Sequence, residues 1–326
     1  MGVAITTKPE RTKRARRQSE RPGKKRTSQE RSIEVRAKQA RPSELRVLQA
    51  EGLKSFAWLA HGFSTRPGGV TPCYQGHTLN LGYTKDDSRE CVQENRRRFL
   101  MALGAATHDK PWPLITNRQI HSDVIHVVRS AEPGQLIGDG LITNLPGIAI
   151  AILTADCLPV LLVDRKSQVV GAFHAGWRGT VKRIVEKGVG LMRHEFGSRP
   201  QDIHAAIGPG IQKCCYEVGE ELRNEFDSQF VYARDLFHEF RESDPVRKKY
   251  PLLFLNGRPP GHGDLCMKLH LDLREANRRQ LLAAGVPSRQ ITAYTDCTAC
   301  NTKMFFSHRA EKGRTGRMMA VAGISP

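Results

Sequence analysis

Two apolar runs in this 326-residue chain carry reactive side chains where packing alone would place hydrocarbon. The first reads AILTADCLPVLLVD, with Thr154, Asp156 and Cys157 near its centre. After a short polar stretch, DRKSQ, the second run VVGAFHAGWRGT carries His174. A connection that short joins antiparallel strands into a hairpin. Cys157 and His174 stand 17 positions apart, so paired strands bring them within side-chain reach.

A thiol beside an imidazole suits two kinds of chemistry. The imidazole can lower the thiol pKa and make Cys157 a nucleophile. Alternatively the two can share a zinc ion, for which thiolate sulfur and imidazole nitrogen are preferred ligands. A third ligand would favour metal, and His121 in RQIHSDVI is best placed, because it also interrupts a strand-like apolar segment. One buried cysteine or histidine in a strand is ordinarily packing. Asp, Cys and Pro in one run, followed by His, Trp and Arg around glycines in the next, are what mark a site.

The elements that must position these residues alternate irregularly. AWLAHGFSTRPGGV reads as a strand ending in a glycine-rich turn. DDSRECVQENRRRFLMALG reads as a surface helix with an Asp/Ser cap, ended by Gly104. PLITNRQIHSDVIHVV is strand-like through His121, and GDGLITN is a short strand or turn. TVKRIVEKGVGLMRHEFG is an amphipathic helix with Val181, Ile184, Val185, Val189 and Met192 on one face. DIHAAIGPGI is a strand and turn, DLREANRRQLLAAGV a helix ended by Gly285, and QITAYTDCTAC and GRMMAVAGI the last strands. No Gly-x-Gly-x-x-Gly opens a helix, which argues against a dinucleotide-binding fold. The expected fold is an α/β (α+β) layered sandwich with a central mixed β-sheet.

Charge divides the chain. Residues 1–46 hold 15 basic residues against 5 acidic ones, a net +10 of the total +18. A segment this charged and this poor in aromatic and β-branched residues cannot offset its ordering entropy, so a disordered basic tail is expected over 1–46 and a single catalytic domain over 47–326. Such a tail binds polyanions weakly and without sequence preference. The sequence holds no run of 18 apolar residues and no apolar secretory core near its start, so a cytoplasmic protein without membrane contact is expected. Eight cysteines in a reducing compartment are free thiols or metal ligands. Cys297 and Cys300 form a single Cys-x-x-Cys, which looks like half of a zinc ribbon or a redox motif and reads as structural or incidental thiols. The adjacent Cys214 and Cys215, if in a strand, point to opposite faces and read as packing.

The segments HGFSTRPGGV, DGLITNLPGIAIAILTADCLPVLLVD, VVGAFHAGWRGT and FFSHRAEKGRTGR, in this order, closely resemble the laccase-domain family. Its members were once described as multicopper polyphenol oxidases. They are also called purine nucleoside phosphorylases of the laccase-domain type, and one branch is called peptidoglycan editing factor. The resemblance spans about residues 50–324. It implies a fold resembling cysteine-hydrolase-like toxin domains. It also implies a zinc ion held by His121, Cys157 and His174, with a fourth position open for chemistry. The implied activity is zinc-dependent phosphorolysis of purine nucleosides (adenosine, inosine, guanosine and 5′-methylthioadenosine) by phosphate, with adenosine deaminase activity. A monomer or homodimer is expected. The alternative from the editing branch is an amidase that removes L-Ser from UDP-MurNAc-L-Ser. Copper chemistry is disfavoured, since a trinuclear copper cluster needs many histidines, generally in His-x-His pairs. This chain has 12 histidines and no such pair.

In that context Arg66, in STRPGG, is expected to bind phosphate or carboxylate, because a glycine-rich turn and a guanidinium both suit an anion. Asn80, in TLNLGY, either hydrogen-bonds the ribose or base or stabilises its own turn. Asp156 is expected to orient a ligand or shuttle a proton, and Arg178 to favour the Cys157 thiolate and contact substrate. Arg309 is a further phosphate candidate, with His308 beside it.

Overall fold

The computed structural model describes residues 44–242, 252 and 266–326. Most of the expected basic tail, residues 1–43, lies outside the described residues. Two mixed sheets dominate. The first runs β1 (Val47–Leu48), β2 (Leu59–Ser64), β17 (Met318–Ile324), β9 (Ala149–Thr154), β6 (Leu114–Thr116). The second runs β16 (Ile291–Ala293), β12 (Ile203–Ile207), β10 (Leu158–Asp164), β11 (Val169–Ala175), β8 (Gly140–Thr143), β7 (Ile125–Val127). Smaller pieces are β3 (Pro67–Thr71), the pair β4 (Ala106–Thr107) and β5 (Lys110–Pro111), and a sheet of β13 (Glu217–Val218), β15 (Cys266–Leu271) and β14 (Phe237–Glu242).

The layered sandwich is present, with two stacked mixed sheets at its centre where one was expected. Phe63, Ile150, Ile152, Ala320 and Ala322 of the first sheet pack against Leu141, Leu161, Val163, Val170 and Ala172 of the second. Helices cover the outer faces. Helix α1 (Arg89–Ala102) lays Phe99 and Leu100 on Ala149, Ala151, Met319 and Val321. Helices α2 (Trp177–Val181), α3 (Ile184–Phe196), α4 (Glu220–Asp227) and α5 (Leu273–Ala283) cover the second sheet, where Leu158, Val160 and Leu162 face Val185, Val189 and Met192. Both faces of β10 are therefore buried, which is why its sequence is continuously apolar.

Local chemistry ends the helices where the sequence indicates. Ser88 caps α1 by accepting the Cys91 N–H at 3.1 Å, and Gly104 follows in the left-handed region. The expected helix after Thr180 is broken at Arg183, whose φ of 63° separates α2 from α3.

Three readings change. AILTADCLPVLLVD is not one interrupted strand: β9 belongs to the first sheet and β10 to the second, and residues 155–157 carry the chain between them. PLITNRQIHSDVIHVV is not one strand either, because β6 and β7 flank an irregular 117–124 segment with His121 at φ 58°. Cys214 and Cys215 lie in a tight turn after β12, where the Gln212 carbonyl accepts from both Cys215 N and Tyr216 N at 2.9 Å.

Candidate metal centre

The expected hairpin forms. β10 and β11 pair antiparallel, with Leu158 opposite Ala175 and Pro159 opposite His174, which sets Cys157 at the end where His174 emerges. Strand alternation gives His174 the face of Val170 and Ala172, turned toward the first sheet. Cys157 closes the crossover from that sheet, and Asp156 makes the turn with φ 91°. A non-glycine residue held there is strained, a condition that persists only where surrounding contacts over-determine it.

His121 arrives by a different route. The carboxylate of Asp139, just before β8, accepts three successive backbone N–H groups: Ile120 at 3.2 Å, His121 at 3.0 Å and Ser122 at 2.6 Å. The Ser122 hydroxyl donates to it at 2.7 Å as well. Wrapping consecutive N–H groups around one anion makes a nest, which accounts for the left-handed conformation of His121. The same carboxylate takes His174 Nδ1 at 2.8 Å. Asp139 thus positions both histidines and leaves His174 Nε2 free to face the cysteine.

One ligand atom each from His121, Cys157 and His174 lies within 4.8 Å of the others. Cys157 Sγ is 3.9 Å from His121 Nε2, and the two imidazole rings meet edge to face at 4.8 Å. Gly176 leaves the room they need, since a Cβ there would stand 3.0 Å from Cys157 Sγ and 3.2 Å from His121 Cδ2. Burial pushes the Cys157 thiol up, but the charge of His174 and contacts with both histidines outweigh it and bring it down to about 6. Burial likewise disfavours a charged His174, yet Cys157 and Asp139 raise it to about 9. Burial would also raise Asp139; its bonds to His174 and Ser122 hold it below the usual carboxylate range instead. The cationic partner of the thiol is therefore His174, where Arg178 was expected. These donors fit zinc: one thiolate and two imidazoles, a carboxylate fixing one tautomer, and, among the described residues, no fourth side chain in the cluster.

The three residues line a cleft of about 1360 Å³ together with Asp156, His308 and Arg309. Asp156 is committed on both oxygens, accepting from Thr298 Oγ1 at 2.7 Å and Arg309 N at 2.6 Å. Arg309 Nη1 donates to the Glu217 carbonyl at 3.0 Å.

Other expected site residues fall elsewhere. Arg66 is buried outside the cleft lining, donating to Glu311 at 2.9 Å, the Thr302 carbonyl at 2.8 Å and the Tyr74 carbonyl at 2.7 Å, over the Phe306 ring. Three of its N–H donors are thus engaged within the protein, bracing the chain. Asn80 is fully buried and ties its own turn: Nδ2 donates to the Gly82 carbonyl at 3.0 Å, and Oδ1 accepts from Arg317 N at 2.9 Å. Arg178 is exposed, stacks on Trp177 at 4.3 Å and is not part of the cleft lining, though its charge reaches Tyr216 there.

Sequence reasoning missed Asp139, Asn117, Arg118, Tyr216 and Lys312. Asp139 carried a faint signal as the acid between two glycines in GDGLITN. Asn117 lines the cleft, is nine-tenths buried, and has neither amide atom hydrogen-bonded. Arg118 and Lys312 add positive charge to the lining beside Arg309. Burial and the nearby Cys157 push the Tyr216 phenol up, so its hydroxyl keeps its proton.

The profile of the family described as "Multi-copper polyphenol oxidoreductase laccase" matches residues 60–325. The chain belongs to this family. A relative from Deinococcus radiodurans named purine nucleoside phosphorylase is 40% identical over 266 residues, 81% of this chain and 88% of that protein. A protein named adenosine deaminase RL5, from an unknown prokaryotic organism, is 35% identical over 266 residues, 78% of this chain and 90% of that one. The crystal structure of YlmD from Geobacillus stearothermophilus superposes with a TM-score of 0.68 at 33% identity, over 87% of this chain and 98% of that chain. Among the described residues, the candidate metal-binding groups are the His121–Cys157–His174 set and a set of four cysteines. Neither is a histidine-rich cluster of the kind several coppers need. No described helix is long and apolar enough to cross a membrane.

Proposed function

We propose that this chain is a zinc-dependent purine nucleoside phosphorylase, acting on adenosine, inosine, guanosine and 5′-methylthioadenosine, with adenosine deamination at the same site. The observation that carries the reading is the convergence of His121, Cys157 and His174 in a cation-lined cleft. The relatives named purine nucleoside phosphorylase and adenosine deaminase support it.

When bound, zinc supplies Lewis acidity to this corner of the cleft. Everything else is done by the chain. Asp139 holds His174 in the tautomer that presents Nε2. Arg118, Arg309 and Lys312 offer positive charge to a phosphate dianion and hold it where its oxygen bonds to C1′ as the C1′–N9 bond breaks and the electron pair leaves with the base. The free amide of Asn117 pairs with the polar edge of the nucleoside, its buried position otherwise costing about 1–3 kcal/mol of unmade hydrogen bonding. Asp156 braces the turn into Cys157, both of its oxygens being occupied as acceptors.

Elemental analysis and phosphate-dependent adenine release from adenosine, on wild type and Cys157→Ala, test this. Zinc in the wild type, with zinc and activity lost together from this site in the variant, is the expected result. Wild-type protein that releases no base with zinc and phosphate supplied would overturn it.

One observation favours a second reading. Cys157, His174 and Asp139 form a chain of thiol, imidazole and carboxylate, the order of a nucleophile, its base and the group that orients the base. An amidase using Cys157 in this way would cleave a UDP-MurNAc-L-Ser precursor faster than its L-Ala counterpart. It would also leave Cys157 open to alkylation in zinc-saturated protein, whereas a zinc ligand is protected.

A further inference from the structure

We propose that Cys214, Cys215, Cys297 and Cys300 form a second metal site, a structural zinc tetrathiolate separate from the His121–Cys157–His174 centre. The four Sγ atoms lie within 4.8 Å of one another, with Cys214 to Cys300 at 3.5 Å and Cys215 to Cys300 at 3.3 Å. A tetrahedron of sulfurs at a zinc–sulfur distance of about 2.3 Å has edges of about 3.8 Å, so small side-chain adjustments convert one arrangement into the other. The adjacent cysteines converge because the chain at 212–216 turns like a helix. Neighbouring residues then diverge by about 100°, where a strand would send them to opposite faces.

Two segments far apart in sequence are registered before any metal is considered. Gly210 bridges Cys297, and Thr298 N donates to the Gly210 carbonyl at 3.1 Å. Gln212 N donates to Cys297 Sγ at 3.4 Å, a contact that steadies a thiolate ligand. The donor set is all sulfur and complete at four, so it leaves no position for substrate and makes a closed structural site.

Its place in the fold gives it a purpose. Thr298, between the ligands of one segment, holds Asp156 Oδ1, and Asp156 precedes Cys157. Tyr216, next to the other pair, lines the cleft. Cross-linking the two segments fixes one wall of the cleft without entering it.

The test uses the full chain carrying Cys157→Ala, which empties the first centre and leaves all four cysteines intact, with His121→Ala as a second background should that variant fold poorly. After reconstitution with Zn²⁺ and desalting, one tightly held zinc per chain is expected, against two in the wild type and none after further Cys297→Ser and Cys300→Ser changes. X-ray absorption of the single-zinc protein should give a first shell of sulfur alone at about 2.3 Å. A folded Cys157→Ala protein that retains no zinc overturns the proposal, as does a shell containing nitrogen or oxygen. Fresh protein lacking zinc and two thiols short on titration in denaturant would point to a disulfide and overturn it too. None of these outcomes depends on phosphorolysis.

Discussion

Replacing Asp139 with Asn probes the centre at the one group that positions two of its three ligands. Oδ2 accepts from Ile120 N, Ser122 N and Ser122 Oγ, while Oδ1 accepts from His121 N and His174 Nδ1. An asparagine must turn its NH2 toward one set. Toward the first it opposes three donors, two of them backbone. Toward the second it opposes one backbone N–H and the imidazole, which is the lesser loss. His174 then relieves the clash by making Nδ1 the acceptor, which moves its proton to Nε2, the nitrogen needed for metal. Restoring the binding tautomer sets donor against donor and costs about 1–3 kcal/mol. That is roughly 5–150-fold in zinc affinity, in the range typical of such supporting carboxylates. The assay is chelator competition at pH 7, read as the free zinc giving half-maximal adenine release after metal stripping. A folded Asp139→Asn protein within threefold of wild type in zinc affinity would refute the reasoning.

Asn117→Leu removes an amide with no hydrogen-bond partner among the described residues, so thermal stability should hold or rise. Its kcat/KM for adenosine should fall about 10–100-fold, while KM for phosphate stays within twofold; unchanged adenosine kinetics would remove Asn117 from substrate recognition. Arg118→Ala with Lys312→Ala should raise KM for phosphate about tenfold, most strongly at low ionic strength, because exposed charges are screened by salt. A purely structural role would leave that salt dependence as it is in the wild type. Gly176→Ala places a Cβ 3.0 Å from Cys157 Sγ and 3.2 Å from His121 Cδ2, and should weaken zinc at the first centre while the four-cysteine site keeps its metal. Equal zinc affinity in the two proteins would show that the ligands have more room than this. His61 is buried with Nε2 unpartnered; burial lowers it to about 4 against the bond to Ala50, with Lys54 lowering it further. The unfolded chain protonates below about 6.5 while the folded one does not, so this residue's share of stability is intact above that pH and falls as pH drops toward 4. By pH 4.5 the loss is on the order of 2–3 kcal/mol. Denaturant melts at pH 7 and 4.5 should show His61→Gln losing less than wild type by about that amount, and parallel losses would clear His61 of the effect.

What was legible in the sequence, and what was not, follows from where each residue's bonding is directed. The hairpin of β10 and β11 was legible because the turn is local and both strands are apolar, and with it the pairing of Cys157 and His174. The split of the first run between two sheets was hidden by the same apolarity. Where both faces of successive strands are buried, the alternation that would mark a boundary disappears, and only Thr154, Asp156 and Cys157 record the crossover. Polar residues near glycines conceal their partners in another way. Arg66 has the composition of an anion site, but its partners include Thr302 and Glu311, more than two hundred residues away, which hold its Nη1 inside the protein. Asn80 is spent on Gly82 and Arg317 in the same way. Asn117 has no such partners, and that absence exists only once the chain is folded. Unused hydrogen-bonding capacity marks a candidate substrate contact only where the side chain also lines the cleft, a conjunction that Asn117 meets and the equally unpartnered His61 does not. By that criterion Asn117 is the candidate for substrate contact and Arg66, outside the cleft lining, is not, although the sequence alone ranks them the other way.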